Sequence, residues 1–205
     1  MSKIDFKKEF KELYNPSSKE IQIVNTPKLN YLIIDGTGNP NTSQEYKEAI
    51  EALFSVSYAI KFMIKKGTTA VDYGVLPLEG LWWTDNMKDF STKNKDIWNW
   101  TALIMQPEFV DEDLVHKALE EVKKKKNLPS VSKIRFESME EGLVAQIMYI
   151  GPYSEEAPTI EKLHNYIDEM GYIKVGKHHE IYLNDARRAA PEKLKTILRQ
   201  PIVKK

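Results

Sequence analysis

Cysteine is absent from all 205 residues, so the chain can hold no disulfide framework, thiolate nucleophile or cysteine-ligated metal. It also lacks a surplus of either charge, with 30 Lys and Arg against 30 Asp and Glu and a pI near 6.9. That balance argues against a broad electrostatic footprint for nucleic acid or anionic membrane. No apolar run approaches the ~18 residues of a membrane span. The opening MSKIDFKKEFKEL is charged throughout and has no apolar core of a secretory signal. A soluble, cytoplasmic protein is the expectation. Histidines are few, and His116, His164, His178 and His179 show no metal-ligand spacing. The Gly/Pro loop Asp35–Pro40 is neither a Walker loop nor a dinucleotide fingerprint, and no Gly-x-Ser-x-Gly elbow occurs. A site without metal or cofactor is the simplest reading.

What is present is an alternation of short strands and amphipathic helices. Phe6, Phe10, Leu13 and Tyr14 recur at helical spacing before Asn15-Pro16. Ile21–Val24 and Leu29–Ile34 read as strands. Thr42-x-x-Glu45 has the form of a capping box opening a helix that ends at Gly67. Strands are predicted over Ala70–Leu78, continuing toward Trp83, and over Ile97–Met105, joined by a polar loop. A helix from Asp111 to Lys126 follows, its lysine run a solvated end that complements the helix dipole. Ser132–Ser138 and Leu143–Ile150 form a predicted hairpin. Pro158 suits the first turn of a helix that stops at Gly171, and His179–Leu183 and Leu194–Val203 complete the strands.

This order repeats. A strand, a Gly/Pro loop, a helix and two strands run over about 29–107, and the same order returns over about 143–203. Both copies end in Gln-Pro, at Gln106-Pro107 and Gln200-Pro201. The predicted fold is α+β: a single domain over 1–205 in which duplicated strand-helix-strand-strand units share an antiparallel sheet, with helices on one face and a ligand cleft on the other.

Chemistry concentrates in Asp72–Trp83. Strand alternation would put Val71, Tyr73, Val75, Pro77, Glu79, Leu81 and Trp83 on one face, setting a carboxylate among apolar and aromatic groups. A buried carboxylate must pair, bind a ligand or take up a proton; alternatively, a bulge at Gly80 turns Glu79 to solvent. In the second copy His178, Glu180 and Tyr182 share a face. If the copies are related by a two-fold, Glu79 and Glu180 are equivalent and aim at one cleft, where paired carboxylates can divide acid and base roles. Trp82, Trp83, Trp98 and Trp100, with Tyr73, offer walls for a stacking pocket. Tyr149 and Tyr153 stand beside the second Gly-Pro turn.

The duplicated order, Tyr31–Pro40, the segment Tyr73-Gly-Val-Leu-Pro-Leu-Glu-Gly-Leu-Trp-Trp83, Ile104–Pro107 and Glu180-Ile-Tyr-Leu183 together resemble the GyrI-like small-molecule-binding family over about Ile21–Val203. The resemblance implies a hydrophobic, often cationic or aromatic small molecule as partner, bound in a cleft over an acidic residue. Carried onto this chain, that residue is Glu180, with Glu79 as its counterpart. Regulator members carry a winged DNA-binding domain, which the roughly twenty residues before the first strand cannot hold; a stand-alone member without nucleic-acid, membrane or known protein partner is implied. Some stand-alone relatives hydrolyse cyclopropane-fused dienones, and the aromatics with two Glu are similar to theirs. By that resemblance Glu79 or Glu180 is the base, Tyr149, Tyr153 and Tyr182 are candidate proton donors, and Tyr73, the four tryptophans, Tyr153 and His178 bind ligand. Passive sequestration of cationic or aromatic compounds is the alternative.

Overall fold

The structure, a computed structural model, describes residues 3–68, 70–85 and 94–205; part of the polar loop after Trp83 lies outside them. Two short helices, α1 (Phe6–Glu9) and α2 (Lys11–Tyr14), precede strands β1 (Gln22–Thr26) and β2 (Leu29–Thr37). Helix α3 (Gln44–Lys66) leads to β3 (Leu78–Trp83) and β4 (Asn99–Gln106). Helix α4 (Glu112–Lys125), β5 (Arg135–Met139) and β6 (Gly142–Ile150) follow, then α5 (Ala157–Glu169), β7 (Tyr172–Lys174), β8 (His178–Tyr182) and β9 (Lys195–Lys204).

The strands form one antiparallel sheet in the order β1-β6-β9-β8-β3-β4-β2-β5, with β7 paired to β9. Its centre is the pair β8–β3. From there β9 then β6 lie on one side, β4 then β2 on the other, so the two units meet as the duplicated order predicts. Helix α3 packs on one face: Tyr46 meets Trp82 and Trp100, and Gln106 donates to Ser57 Oγ. Helix α5 packs on the same face through Ile160, Leu163 and Ile167 against Ala145, Ile147 and Leu198. The gap between these helices lies over β8 and β3, on the helix-bearing face and not on the opposite one, where the sequence reading sets the cleft and where α1 and α2 pack instead.

Local signals explain most boundaries. Ser43 caps α3, its Oγ accepting from the Tyr46 amide at 3.1 Å, one residue beyond the Thr42 that the capping box predicts. Asp111 caps α4 in the same way. Gly171, at φ +76°, follows α5 where a side chain would be strained. The predicted strand over Ala70–Leu78 is shorter than expected. Tyr73 makes one bridge to Ile4, and regular pairing begins only at Leu78. Pro77 has no N–H to give a ladder, so the ladder starts just after it. Pro201, by contrast, sits inside β9, where that strand leaves β8 at Arg199 and takes up β7 at Ile202.

On the face opposite α3 and α5, a buried polar network ties the N-terminal helices to the sheet. Arg199 donates to the Leu13 carbonyl at 2.8 Å and to Gln146 at 3.0 Å, while Gln146 donates to the Glu12 carbonyl. Tyr14 donates to Glu79 at 2.8 Å. His179 stands between Glu79, 2.9 Å from Nε2, and Glu141, 3.0 Å from Nδ1. Burial alone would push the His179 imidazolium down, but the flanking Glu141 and Glu79 outweigh it and hold its pKa up at about 9. Burial would likewise raise Glu141, yet His179 and Arg199 keep it below its ordinary value.

Two outcomes follow from this packing. A Cβ on Gly36 would fall 2.1 Å from the ring of Trp100, which is fully buried, so Gly36→Ala is expected to cost about 1–3 kcal/mol in urea unfolding. His179 has a folded-state pKa above its ordinary 6.5. Its contribution, on the order of 3 kcal/mol, is therefore whole below about pH 6.5 and lost as pH rises through about 9. Glu141 works in the other direction, its contribution whole above pH 4.5 and lost on acidification. The thermal midpoint should be highest between those limits and fall from pH 7 to 9.5, and His179→Gln should lower it and flatten the alkaline limb; an unchanged alkaline limb in that variant would remove His179 as the cause.

Candidate functional site

Pairing of β3 with β8 decides which side chains meet. Gly80 lies opposite Glu180, Trp82 opposite His178 and Leu78 opposite Tyr182. Paired residues of an antiparallel ladder share a face, so Trp82, His178, Glu180 and Tyr182 all point into the gap between α3 and α5. Glu79 lies opposite Ile181 and points the other way. A two-fold normal to a sheet preserves faces, so Glu79 is not the counterpart of Glu180. The expectation that both carboxylates aim at one cleft is therefore overturned: Glu79, fully buried, belongs to the network with Tyr14 and His179.

The Glu180 cluster is built on a missing side chain. A Cβ on Gly80 would fall 2.8 Å from Trp82 Nε1, because the Trp82 indole folds back over that residue. So placed, Trp82 Nε1 donates to the Tyr182 hydroxyl at 3.1 Å, and Tyr182 donates to Glu180 Oε2 at 2.7 Å. His178 Nε2 stands 3.3 Å from Glu180 Oε1. Burial works to raise Glu180, but His178, Tyr182 and Lys95 overcome it and hold the carboxyl below its usual range. Burial, then the Glu180 charge, push Tyr182 far above the ordinary phenol value, so it remains a donor.

Aromatic rings surround this carboxylate. Tyr153 packs edge-on against Tyr182 at 5.5 Å, and Trp98 lies 5.4 Å from Trp82 with Lys95 over its ring. Trp100 forms the back wall, buried against Gly36 and Tyr46. Tyr149 is on the same face, since it and Tyr182 both pair with Thr196. Its hydroxyl donates to the Pro152 carbonyl at 2.9 Å, bracing the Gly151-Pro152 turn beside Tyr153. Of the residues singled out in the sequence, the structure brings together Glu180, Tyr182, Trp82, Trp98, Trp100, Tyr153, His178 and Tyr149. Two rings lie elsewhere. Tyr73 packs with Phe6 and Phe109, and Trp83, alternating away from Trp82, lies under Lys177 Nζ at 3.3 Å.

Three members of the cluster were not anticipated. Tyr46, from the first turn of α3, closes over Trp82. His164, on α5, has its ring 6.5 Å from that of His178, and burial pushes it down to about 4. Glu156 stands at the start of α5 but makes no capping bond. It is 3 % exposed, its Oε2 has no hydrogen-bond partner, and burial followed by the Glu180 charge raises its pKa to about 9. A Glu is a poor N-cap, and that mismatch before Pro158 was the available signal. Among the described residues, no group of three or more His, Asp and Glu is placed to hold a metal ion, and no helix is long and apolar enough to cross a membrane.

The comparisons agree with this fold. A protein of Listeria innocua described as an uncharacterized conserved protein is 39% identical, with a TM-score of 0.90 over 98% of this chain and 100% of its own. A second from Listeria innocua, described as a hydrolase, is 38% identical, with a TM-score of 0.85 over the same shares. The EcmrR C-terminal domain, at 10% identity, shares the fold with a TM-score of 0.56 over 91% of this chain and 98% of its own. No curated protein matches the sequence. The GyrI-like small molecule binding domain matches residues 19–203. The chain belongs to that family.

Proposed function

We propose that the chain takes a flat, largely apolar or aromatic molecule against Trp82, Trp98, Tyr153 and Tyr182, and that Glu180 is the base that hydrolyses an electrophilic ring in it. The observation that carries this reading is a buried carboxylate held ionised among aromatic rings, with Tyr182 fixed 2.7 Å away by Trp82. The relatives from Listeria innocua described as hydrolases, 38% and 39% identical over 98% of the chain, support it.

A cyclopropane fused to a dienone suits such a site. Rings supply stacking, and Glu180 takes a proton from water as the water oxygen attacks the cyclopropane carbon. That carbon–carbon bond breaks, its electron pair runs through the dienone, and the oxygen at the far end becomes a phenol on gaining a proton. The Tyr153 hydroxyl on the same wall is the group that can stabilise the charge collecting there, since the Tyr182 proton is already given to Glu180. General base help of this kind is worth about 10²–10⁴-fold. A second reading, sequestration without turnover, draws on the family's description as a binding domain and uses the same rings, with Glu180 facing a cation.

Turnover of a cyclopropane-fused dienone under excess substrate tests the choice. Glu180→Gln should lower kcat by about 10²–10⁴-fold, whereas Glu79→Gln should lower thermal stability and leave kcat near wild type. Wild-type turnover in Glu180→Gln would exclude it as base, and saturable binding with unchanged ligand recovered would favour sequestration. Gly80→Ala should dislodge the Trp82 indole and break its bond to Tyr182, reducing kcat together with a shift in tryptophan emission; a normal rate with displaced emission would separate Trp82 from the chemistry.

A further inference from the structure

Glu156 combines features that a structural carboxyl does not need. It sits where α5 begins yet leaves the helix amides uncapped, and its Oε2 is buried without a partner. An unpartnered buried acceptor is costly, a cost that a carboxyl can recover when a ligand supplies the missing partner. Its surroundings are those of the candidate site. Glu180 on β8 and Lys95 before β4 act on it through their charges. Tyr182 on β8, Tyr153 before α5 and Tyr149 on β6 all feel its charge in turn. His178, beside Glu180, His164, one ring further along α5, and Tyr46 on α3 are further titratable groups on this side among the described residues.

We propose that Glu156 is the proton-exchanging specificity residue of this site: it keeps its proton and donates it to the carbonyl of a neutral aromatic ligand, and releases it when an aromatic cation binds. The inference rests on the reading that the Glu180 cluster is the ligand site, but not on turnover. Burial and the Glu180 charge hold the free carboxyl protonated up to about pH 9, so below that pH the two carboxyls carry one negative charge between them. A bound cation supplies the positive charge that lets the second ionise. The proton leaves to solvent, and the bound state holds one cation and two carboxylates. Linkage fixes the sign: affinity for a cation must rise with pH below about 9, by about tenfold per pH unit while one proton is released, whereas affinity for a neutral carbonyl ligand must not rise.

The test uses the full chain, N-methylquinolinium as a permanent aromatic cation, and 1-tetralone as a neutral carbonyl probe. Affinity is followed by quenching of the tryptophan emission, and proton release by calorimetry in buffers of different ionisation enthalpy. For wild type, the cation should bind about tenfold tighter at pH 8 than at pH 7 and release about one proton, while 1-tetralone should release none. Glu156→Gln, the neutral isostere of the protonated acid, should remove both the pH slope and the proton release for the cation. Cation binding that needs Glu180 but releases no proton, or an identical pH slope in Glu156→Gln, would overturn the role of Glu156 and leave the site standing. Cation binding unchanged in both Glu180→Gln and Glu156→Gln, or none in wild type, would overturn the site reading and this inference with it.

Discussion

The pairing of β3 against β8 at the middle of the sheet is the constraint on which the remaining arrangement depends. Side chains alternate along a strand, so a shift of one residue in that ladder would exchange the two faces of β3 relative to the protein. With Gly80 opposite Glu180, Trp82 lies over the glycine and reaches Tyr182. The same parity sends Glu79 and His179 to the other side. Two buried acidic residues, one position apart in the ladder, therefore live in different chemistries.

On one side the buried charges answer one another. Glu79 and Glu141 face the cations of His179 and Arg199, and backbone carbonyls of α2 take the remaining donors. Breaking such a network by removing one partner is destabilising, because the other charge is left buried. On the α3 and α5 side the answers are incomplete. Glu156 Oε2 and His164 Nε2 lack partners among the described residues. Satisfied polar groups hold a fold in one state; unsatisfied ones beside rings are what a ligand can complete.

Much of this was legible in the sequence, and what was missed has a physical cause. The long helix, the Pro158 start and Gly171 stop of α5, and the mirrored strand order all follow from local periodicity and punctuation. His178, Glu180 and Tyr182 were set on one face because alternation within one short strand is reliable, whereas Trp82 was named only with the other tryptophans of its segment. What alternation cannot supply is the register between strands from different halves of the chain, and the equivalence of Glu79 with Glu180 depended on that register. Tyr73 was set in the pocket for the same reason, since it was counted onto the face of Glu79 and Trp83, which turns away from Glu180. Glu156 was passed over because its one local signal, a Glu at the cap position before Pro158, is weak, and burial by tertiary packing adds no mark of its own to a Glu-Glu-Ala-Pro segment.

The position of β9 has a bearing on how the molecule is made. It comes last among the strands, yet it runs between β6 and β8 and supplies Arg199, which holds the carbonyl of Leu13. During synthesis, therefore, the second half-sheet has an open slot until β9 leaves the ribosome, and the N-terminal helices wait for their anchor while the 186 residues from Leu13 to Arg199 are made. The first half-sheet, β3-β4-β2, suffers no such delay.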